Sequence, residues 1–364
     1  MKILILANND VGLYRFRKEL IEELIDKGNR ISISLPYGEL VEPLKKIGCC
    51  FWDTPINRRS INPFYDIRLL LKYQSLVKKE RPDIVITYTI KPNIYGCFVC
   101  RINHIPYAMN ITGVGTTFQK TNVLQKIVII LYKLASKKAK VVFFENSSNR
   151  DIFIKSNIIE EEQSCVLNGA GINTVEYPFL SYPKNEIPVR FLFVGRIMRE
   201  KGINELYYVA KKTKNKYQGK VEFDIVGPYE DDYKEATARL VEEGIIYYYG
   251  YQENTVPFIK QCHCLILPSY HEGMANILLE CGSMGRPMIA SNINGCKETI
   301  IHGESGFLCE AKNKESLFLA VEEFFLLRYS KKIDMGKSSR KHIENIFEKN
   351  SVVRNTCDRL FHND

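Results

Sequence analysis

Long apolar runs are missing from this chain of 364 residues, and Ile127–Tyr132 is the longest clean stretch in its most apolar region. A spanning helix needs roughly 18 consecutive apolar residues, so contact with a membrane is expected but passage through one is not. A secretion signal is not expected either. Met1–Ala7 is apolar, but Asn8, Asn9 and Asp10 interrupt it, so it reads as a buried strand and the chain is expected to stay in the cytoplasm. The cysteines number 11, an odd count at no framework spacing, which excludes a disulfide scaffold and suits a reducing compartment. Cys97 and Cys100 have redox spacing but fall in an apolar helical segment behind Gly96. Cys262-His263-Cys264 alternates across a strand entrance and cannot close a metal site alone. The sequence has no repeat, no low-complexity tract and no nucleic-acid module, so nucleic acid is excluded as a partner.

What is present is enough apolar material for two cores. The composition is 45% hydrophobic, and the length exceeds one ordinary domain. Strand-type runs alternate with helix-period segments throughout. In the first half they are Ile3–Ala7, Ile31–Leu35, Ile84–Thr89, Tyr107–Ile111 and Val141–Glu145. In the second they are Phe191–Val194, Glu222–Val226, Ile245–Tyr249, Cys264–Leu267 and Pro287–Ala290. This is an α/β pattern of two doubly wound, Rossmann-like parallel sheets. The expected division is residues 1–176, a linker at 177–188 marked by Pro178, Pro183 and Pro188, and a second domain at 189–345. Ligands in such folds collect at the carboxyl ends of strands, so a central cleft between domains is expected to receive them. The net charge of +9 is uneven. Residues 1–180 hold 25 Lys+Arg against 17 Asp+Glu, or +8, leaving +1 for the remainder. A basic first half suits an anionic membrane surface or a lipid diphosphate. Lys126, Lys133, Lys137 and Lys140 form one stripe beside Leu124, Ile127, Val128, Ile130, Leu131 and Leu134, as in an interfacial helix.

Four loops carry candidate chemistry. In Pro268–Glu280, Glu272 and Glu280 stand eight positions apart across a loop entering a helix. Backbone N–H groups of Gly273, Met274, Ala275, Asn276 and Ile277 are expected at the helix end as an anion cradle. A diphosphate seated there would have Glu272 on a transferred sugar and Glu280 on ribose hydroxyls. In Gly195–Gly202, Arg196 offers a guanidinium fork and Lys201 a point charge, spaced for diphosphate oxygens. Gly227, in Val226-Gly227-Pro228, permits close approach to the donor. In Asn8–Arg17, Asn9, Gly12, Tyr14, Arg15 and Arg17 follow the first strand, with Gly12 permitting close approach to phosphate. Arg58, Arg59 and Lys91 are candidates for an acceptor diphosphate. Glu230-Asp231-Asp232 reads as acids at a helix start rather than a metal site, and no divalent metal is expected.

These loops, in this order, resemble glycosyltransferase family 4, the retaining GT-B enzymes that use nucleotide sugars. The likeness covers most of the chain. Arg59–Phe64, Thr112–Gly115 and Ser269–Gly273 bring it nearest to the N-acetylgalactosaminyltransferases that extend polyprenyl-diphosphate-linked sugars in bacterial glycan assembly. The resemblance implies a UDP-sugar donor, with uracil met by backbone groups at Gly250-Tyr251-Gln252, and catalytic roles for Glu272, Lys201 and Arg196. It implies that the first loop lies between donor and acceptor, that residues 346–364 return as a helix to the first domain, and that the enzyme works peripherally at the inner membrane face. Many relatives carry a histidine after the fourth strand. Asn110 and Thr112 stand here instead, so neutral hydrogen-bonding groups are expected. Two alternatives share the architecture: a UDP-N-acetylglucosamine 2-epimerase, which needs no acceptor, and a silent nucleotide-sugar-binding module, which has no need to keep Arg196, Lys201, Glu272 and Glu280 together.

Overall fold

A computed structural model describes residues 1–57, 62–114 and 123–361. The chain divides into two compact units, Met1–Gly171 with Lys349–Asp364, and Ile172–Glu348.

The first unit is built from β1 (Lys2–Leu6), α1 (Asp10–Asp26), β2 (Arg30–Leu35), α2 (Val41–Ile47), β3 (Cys50–Asp53), α3 (Pro63–Glu80) and β4 (Ile84–Tyr88). A π-helical turn (Pro92–Gly96) follows, then α4 (Cys97–Ile102), β5 (Tyr107–Ile111), α5 (Val123–Ser136), β6 (Val141–Phe144), α6 (Ser147–Lys155) and β7 (Ser164–Val166). Its seven strands are parallel in the order β3-β2-β1-β4-β5-β6-β7. β1 and β4 carry the apolar runs Ile3–Leu6 and Ile84–Ile86 because helices cover both faces of the sheet. Leu13, Leu20 and Leu24 of α1 cover one face, and Tyr73, Val77 and Val99 the other.

The second unit comprises β8 (Val189–Val194), α7 (Ile203–Lys216), β9 (Val221–Val226), α8 (Lys234–Glu242), β10 (Tyr247–Tyr248) and α9 (Val256–Gln261). It continues through β11 (Cys264–Leu267), α10 (Asn276–Ser283), β12 (Met288–Ser291), β13 (Gly306–Cys309), α11 (Lys314–Leu326) and α12 (Tyr329–Phe347). Its six strands run in the order β10-β9-β8-β11-β12-β13. The last helix, α13 (Lys349–Phe361), buries Val352, Val353, Cys357 and Leu360 in the core of the first unit, and Lys349 Nζ stands 3.6 Å from Glu19.

The first boundary falls at Gly171 rather than 176, and the stretch expected as a linker belongs to the second unit. Leu180 N–H donates to Met284 O (3.2 Å), and the Tyr182 hydroxyl donates to His263 O (2.9 Å). Fully buried Arg286 donates to Leu180 O and Ser181 O, both at 3.1 Å. Three strands were not foreseen: β3, β7 and β13. All three are sheet edges, where one side lacks a neighbour and a short run suffices. α5 ends at Ser136, so Lys137 and Lys140 lie beyond the helix that carries Lys126 and Lys133.

Candidate active site

The second sheet reverses its winding between β8 and β11, so the loops leaving those two strands flank the crevice where a ligand fits. Both signature loops arise there. After β8, a 3-10 turn at Arg199–Lys201 ends on Gly202, whose φ of +71° starts α7. A Cβ on Gly202 would stand 2.1 Å from Pro268 O of the other loop, so only glycine lets the two loops close. Tyr270 N–H donates to Glu200 O (2.8 Å). Lys201 Nζ meets Glu272 Oε1 at 2.5 Å, with side chains only 19% and 12% exposed. Gly227 holds φ +146° against the first loop, where a Cβ would lie 1.8 Å from Gly195 O. Its N–H donates to Gly250 O (2.8 Å), which ties in the loop carrying exposed Tyr251.

Several expectations need correction. Glu272 does not lie at the helix start: α10 begins at Asn276 with Ala275 as its cap. Ala275 N–H donates to Gly295 O (2.9 Å), and Met274 and Ala275 are buried, so they are not part of an outward cradle. The first-turn N–H groups of Asn276 and Ile277 lack intrahelical acceptors by helix geometry. Glu280 lies partly buried within α10. The run Glu230–Asp232 precedes α8 rather than capping it. Asp231 instead accepts from Arg199 N–H (2.9 Å), and Glu230 stands 3.5 Å from Arg196, whose side chain is 52% exposed. Burial, then the nearby Lys312 charge, lowers the His271 pKa.

In the first unit the winding reverses between β1 and β4. Asn9 is the N-cap of α1, its side chain accepting from Gly12 N–H at 2.5 Å, so Asn9 and Gly12 engage each other. Tyr14 packs on the core and Arg15 is exposed. Arg17, a candidate of the first loop, is buried: its guanidinium meets Glu145 at 2.6 Å and lies 5.1 Å from the Tyr88 ring centre. Lys91 Nζ donates to Asp66 at 2.6 Å. Asn110 serves the scaffold, its side chain donating to Thr87 O (3.2 Å), and Thr112 lies half-buried after β5. Arg58, Arg59 and Gly115–Thr117 lie outside the described residues. Asp10, Glu145 and Thr89 were not singled out from sequence. Asp10 is buried and accepts from Leu40 N–H (2.8 Å). The only sequence signal for Asp10 and Glu145 was an acidic residue close after an apolar strand, directly after it for Glu145 and four positions on for Asp10. Among the described residues, no group of three or more His, Cys, Asp or Glu side chains is arranged to hold a metal ion.

Two doubly wound parallel sheets, one with a cation-bearing and a carboxylate-bearing loop stitched together at its switch point, define a two-unit α/β protein with a ligand crevice at that switch point. Residues 2–146 match the glycosyl transferase 4-like family and residues 180–342 the glycosyl transferases group 1 family, so the chain belongs to these glycosyltransferases, with the GT-B fold. It is 26% identical over 334 residues, 87% of each chain, to N,N'-diacetylbacillosaminyl-diphospho-undecaprenol alpha-1,3-N-acetylgalactosaminyltransferase of Campylobacter jejuni. It is 27% identical to UDP-Gal:alpha-D-GlcNAc-diphosphoundecaprenol alpha-1,3-galactosyltransferase of Escherichia coli, covering 72% of this chain and 71% of that one. The crystal structure of Anabaena HepE in complex with UDP and glucose shares the fold, with a TM-score of 0.80 over 99% of each chain at 16% identity.

Proposed function

We propose that the protein is a retaining glycosyltransferase that moves an N-acetylhexosamine or hexose from a UDP-sugar to a polyprenyl-diphosphate-linked glycan, in capsule, O-antigen or glycoprotein glycan assembly. The observation that carries this reading is the Lys201–Glu272 pair, a phosphate-type cation and a sugar-type carboxylate brought within 2.5 Å by the two switch-point loops. Both curated relatives are named for undecaprenol-diphosphate acceptors and one for a UDP-Gal donor, and HepE was crystallised with UDP and glucose. Their names also describe alpha linkages, the outcome of retention from an alpha-linked nucleotide sugar.

In this reading Glu272 accepts from hydroxyls of the transferred sugar and Glu280 from the ribose. Arg196, Lys201 and the first-turn N–H groups of α10 stabilise the charge that grows on the leaving diphosphate, without a divalent metal. The acceptor hydroxyl attacks the anomeric carbon from the face the diphosphate leaves. The C–O bond to the diphosphate breaks with its electron pair, and a diphosphate oxygen takes the acceptor's proton.

A lipid-linked acceptor draws the enzyme to a membrane surface, and the first unit has a suitable face. No helix among the described residues is long and apolar enough to cross a membrane. α5 exposes Val123, Ile127, Ile130 and Leu134 along one stripe beside Lys126 and Lys133. α3 adds exposed Phe64, Ile67 and Leu71 beside Arg68 and Lys72, a stripe the sequence reading had not singled out. Apolar stripes bordered by cations fit peripheral docking on anionic lipid at the cytoplasmic face.

The test is calorimetric titration with a panel of nucleotides and UDP-sugars, with and without EDTA, followed by product analysis on a polyprenyl-diphosphate-linked sugar. Acceptor-dependent UDP release, insensitive to EDTA and giving an alpha-linked product, supports the reading. UDP-sugar binding without acceptor-dependent turnover refutes it.

A further inference from the structure

Thr89 breaks the local rules of the first unit. Among the described residues, the non-glycine positions with positive φ are Arg81, Thr89, His104, Asn157 and Lys312. Arg81 and Asn157 follow the ends of α3 and α6, where left-handed backbone commonly terminates a helix. Of the five, Thr89 alone is β-branched, and at φ +74° its side chain crowds the backbone. Its hydroxyl oxygen is also buried with no hydrogen-bond partner.

The contrast with neighbouring turns explains the orphaned hydroxyl. Asn9, Asn62 and Asn146 each precede a helix of this unit with extended backbone, and their side-chain oxygens accept from Gly12, Phe64 and Asn149 N–H. Thr89 precedes a helical turn in the same way, and its carbonyl accepts from Asn93 N–H at 2.9 Å. Its left-handed backbone, however, swings the hydroxyl away from the capping position. The fold therefore holds a strained residue in place and leaves its polar atom unused, a combination that clusters at ligand sites.

Its position points to the ligand. The register of β1 and β4 pairs Leu6 with Thr87, and Thr89 directly follows the end of β4, at the carboxyl edge of the switch point. Lys91, two residues on, has three N–H donors, one of them engaged by Asp66. A hydroxyl without a hydrogen-bond partner, two residues along the chain from an ammonium group, suits an anion.

We infer that Thr89 recognises the acceptor diphosphate, its hydroxyl donating to a phosphoryl oxygen at the β1–β4 switch point with Lys91 alongside. This rests on the acceptor reading proposed above. Thr89 as a whole is only half-buried, and its hydroxyl can change direction by rotation about χ1.

The test is Thr89→Val in the full chain, which keeps branching and volume and removes the hydroxyl. Two acceptors carry the same sugar, one as a short polyprenyl-diphosphate glycoside and one as a nitrophenyl glycoside without diphosphate. The expected result is a fall of about 10- to 100-fold in kcat/KM for the diphosphate acceptor alone, the size of a lost hydrogen bond to a charged group. The UDP-sugar KM and the melting temperature stay at wild-type values, and Thr89→Ser restores the diphosphate preference. Thr89→Gly, which tolerates the backbone angle without branching, should show the same selective loss. An unchanged kcat/KM on the diphosphate acceptor, or an equal loss on both acceptors, overturns the inference. Wild-type protein that binds UDP-sugar but turns over neither acceptor overturns the acceptor reading and the inference with it.

Discussion

Glu272→Ala separates the two jobs given to one carboxylate. Glu272 neutralises Lys201 at 2.5 Å, and both side chains are mostly buried. Removing one partner of a buried pair costs roughly 3–5 kcal/mol, and the residual exposure of both groups argues for the lower end, about 3 kcal/mol. For a unit of this size that is a fall of about 6–12 °C in melting temperature, read by scanning calorimetry. UDP binding should survive or tighten, because Lys201 is released toward the diphosphate. Turnover should fall about 100- to 1000-fold, as when one preorganised transition-state contact is lost. Lys201→Ala should instead weaken UDP itself about 10-fold, and the double variant should lose less stability than the two singles summed, because each single leaves an unpaired charge. Unchanged turnover in Glu272→Ala refutes the contact with the donor sugar. Wild-type UDP affinity in Lys201→Ala removes that residue from the diphosphate site, and additive stability losses refute the coupling.

Ile127→Glu together with Ile130→Glu should abolish binding to vesicles containing anionic lipid with less than about 1 kcal/mol lost in stability, since both side chains are exposed on α5. Retained vesicle binding would refute the docking face. Lys332 is buried with its ammonium on Phe325 O at 2.8 Å, and burial lowers its pKa from the ordinary 10.5. The folded state thus gives up that proton more readily than the unfolded state, so the charge destabilises the fold at neutral pH and this penalty fades as pH rises from the lowered value through 10.5. Lys332→Met should therefore raise the melting temperature at pH 7, with the gain shrinking toward pH 10. A gain independent of pH would refute the assignment.

The sheet interiors were legible because β1, β4, β8 and β11 are central strands that read as mostly apolar runs, interrupted only by Thr87 in β4 and Arg190 in β8 after the opening Lys2 of β1. The edge strands were not. β3 and β7 are partly exposed and carry Asp53, Ser164 and similar residues that suit a loop equally well. The proline-marked stretch 177–188 misled for a related reason. Its prolines interrupt helix and strand pairing, but what fastens it to the second unit is Arg286, a distant side chain reaching backbone carbonyls.

At the site, residue type pointed to cations as phosphate candidates but not to the carboxylates they pair with. Arg17, Lys91, Arg196 and Lys201 each meet a carboxylate, on Glu145, Asp66, Glu230 and Glu272 respectively. Glu145 lies 128 positions from Arg17, and Glu272 lies 71 from Lys201, separations that no local spacing rule can read. The pairs have a functional consequence. A cation already neutralised by a carboxylate offers an incoming diphosphate only the difference between two ion pairs, so the anion gains most where the carboxylate finds a new partner. In the proposed reading Glu272 finds such a partner in the hydroxyls of the donor sugar. UDP alone leaves Glu272 without that compensation, and UDP-sugar supplies it. The gain in affinity from UDP to UDP-sugar should therefore shrink in Glu272→Ala, and an undiminished gain would mean that the exchange does not occur.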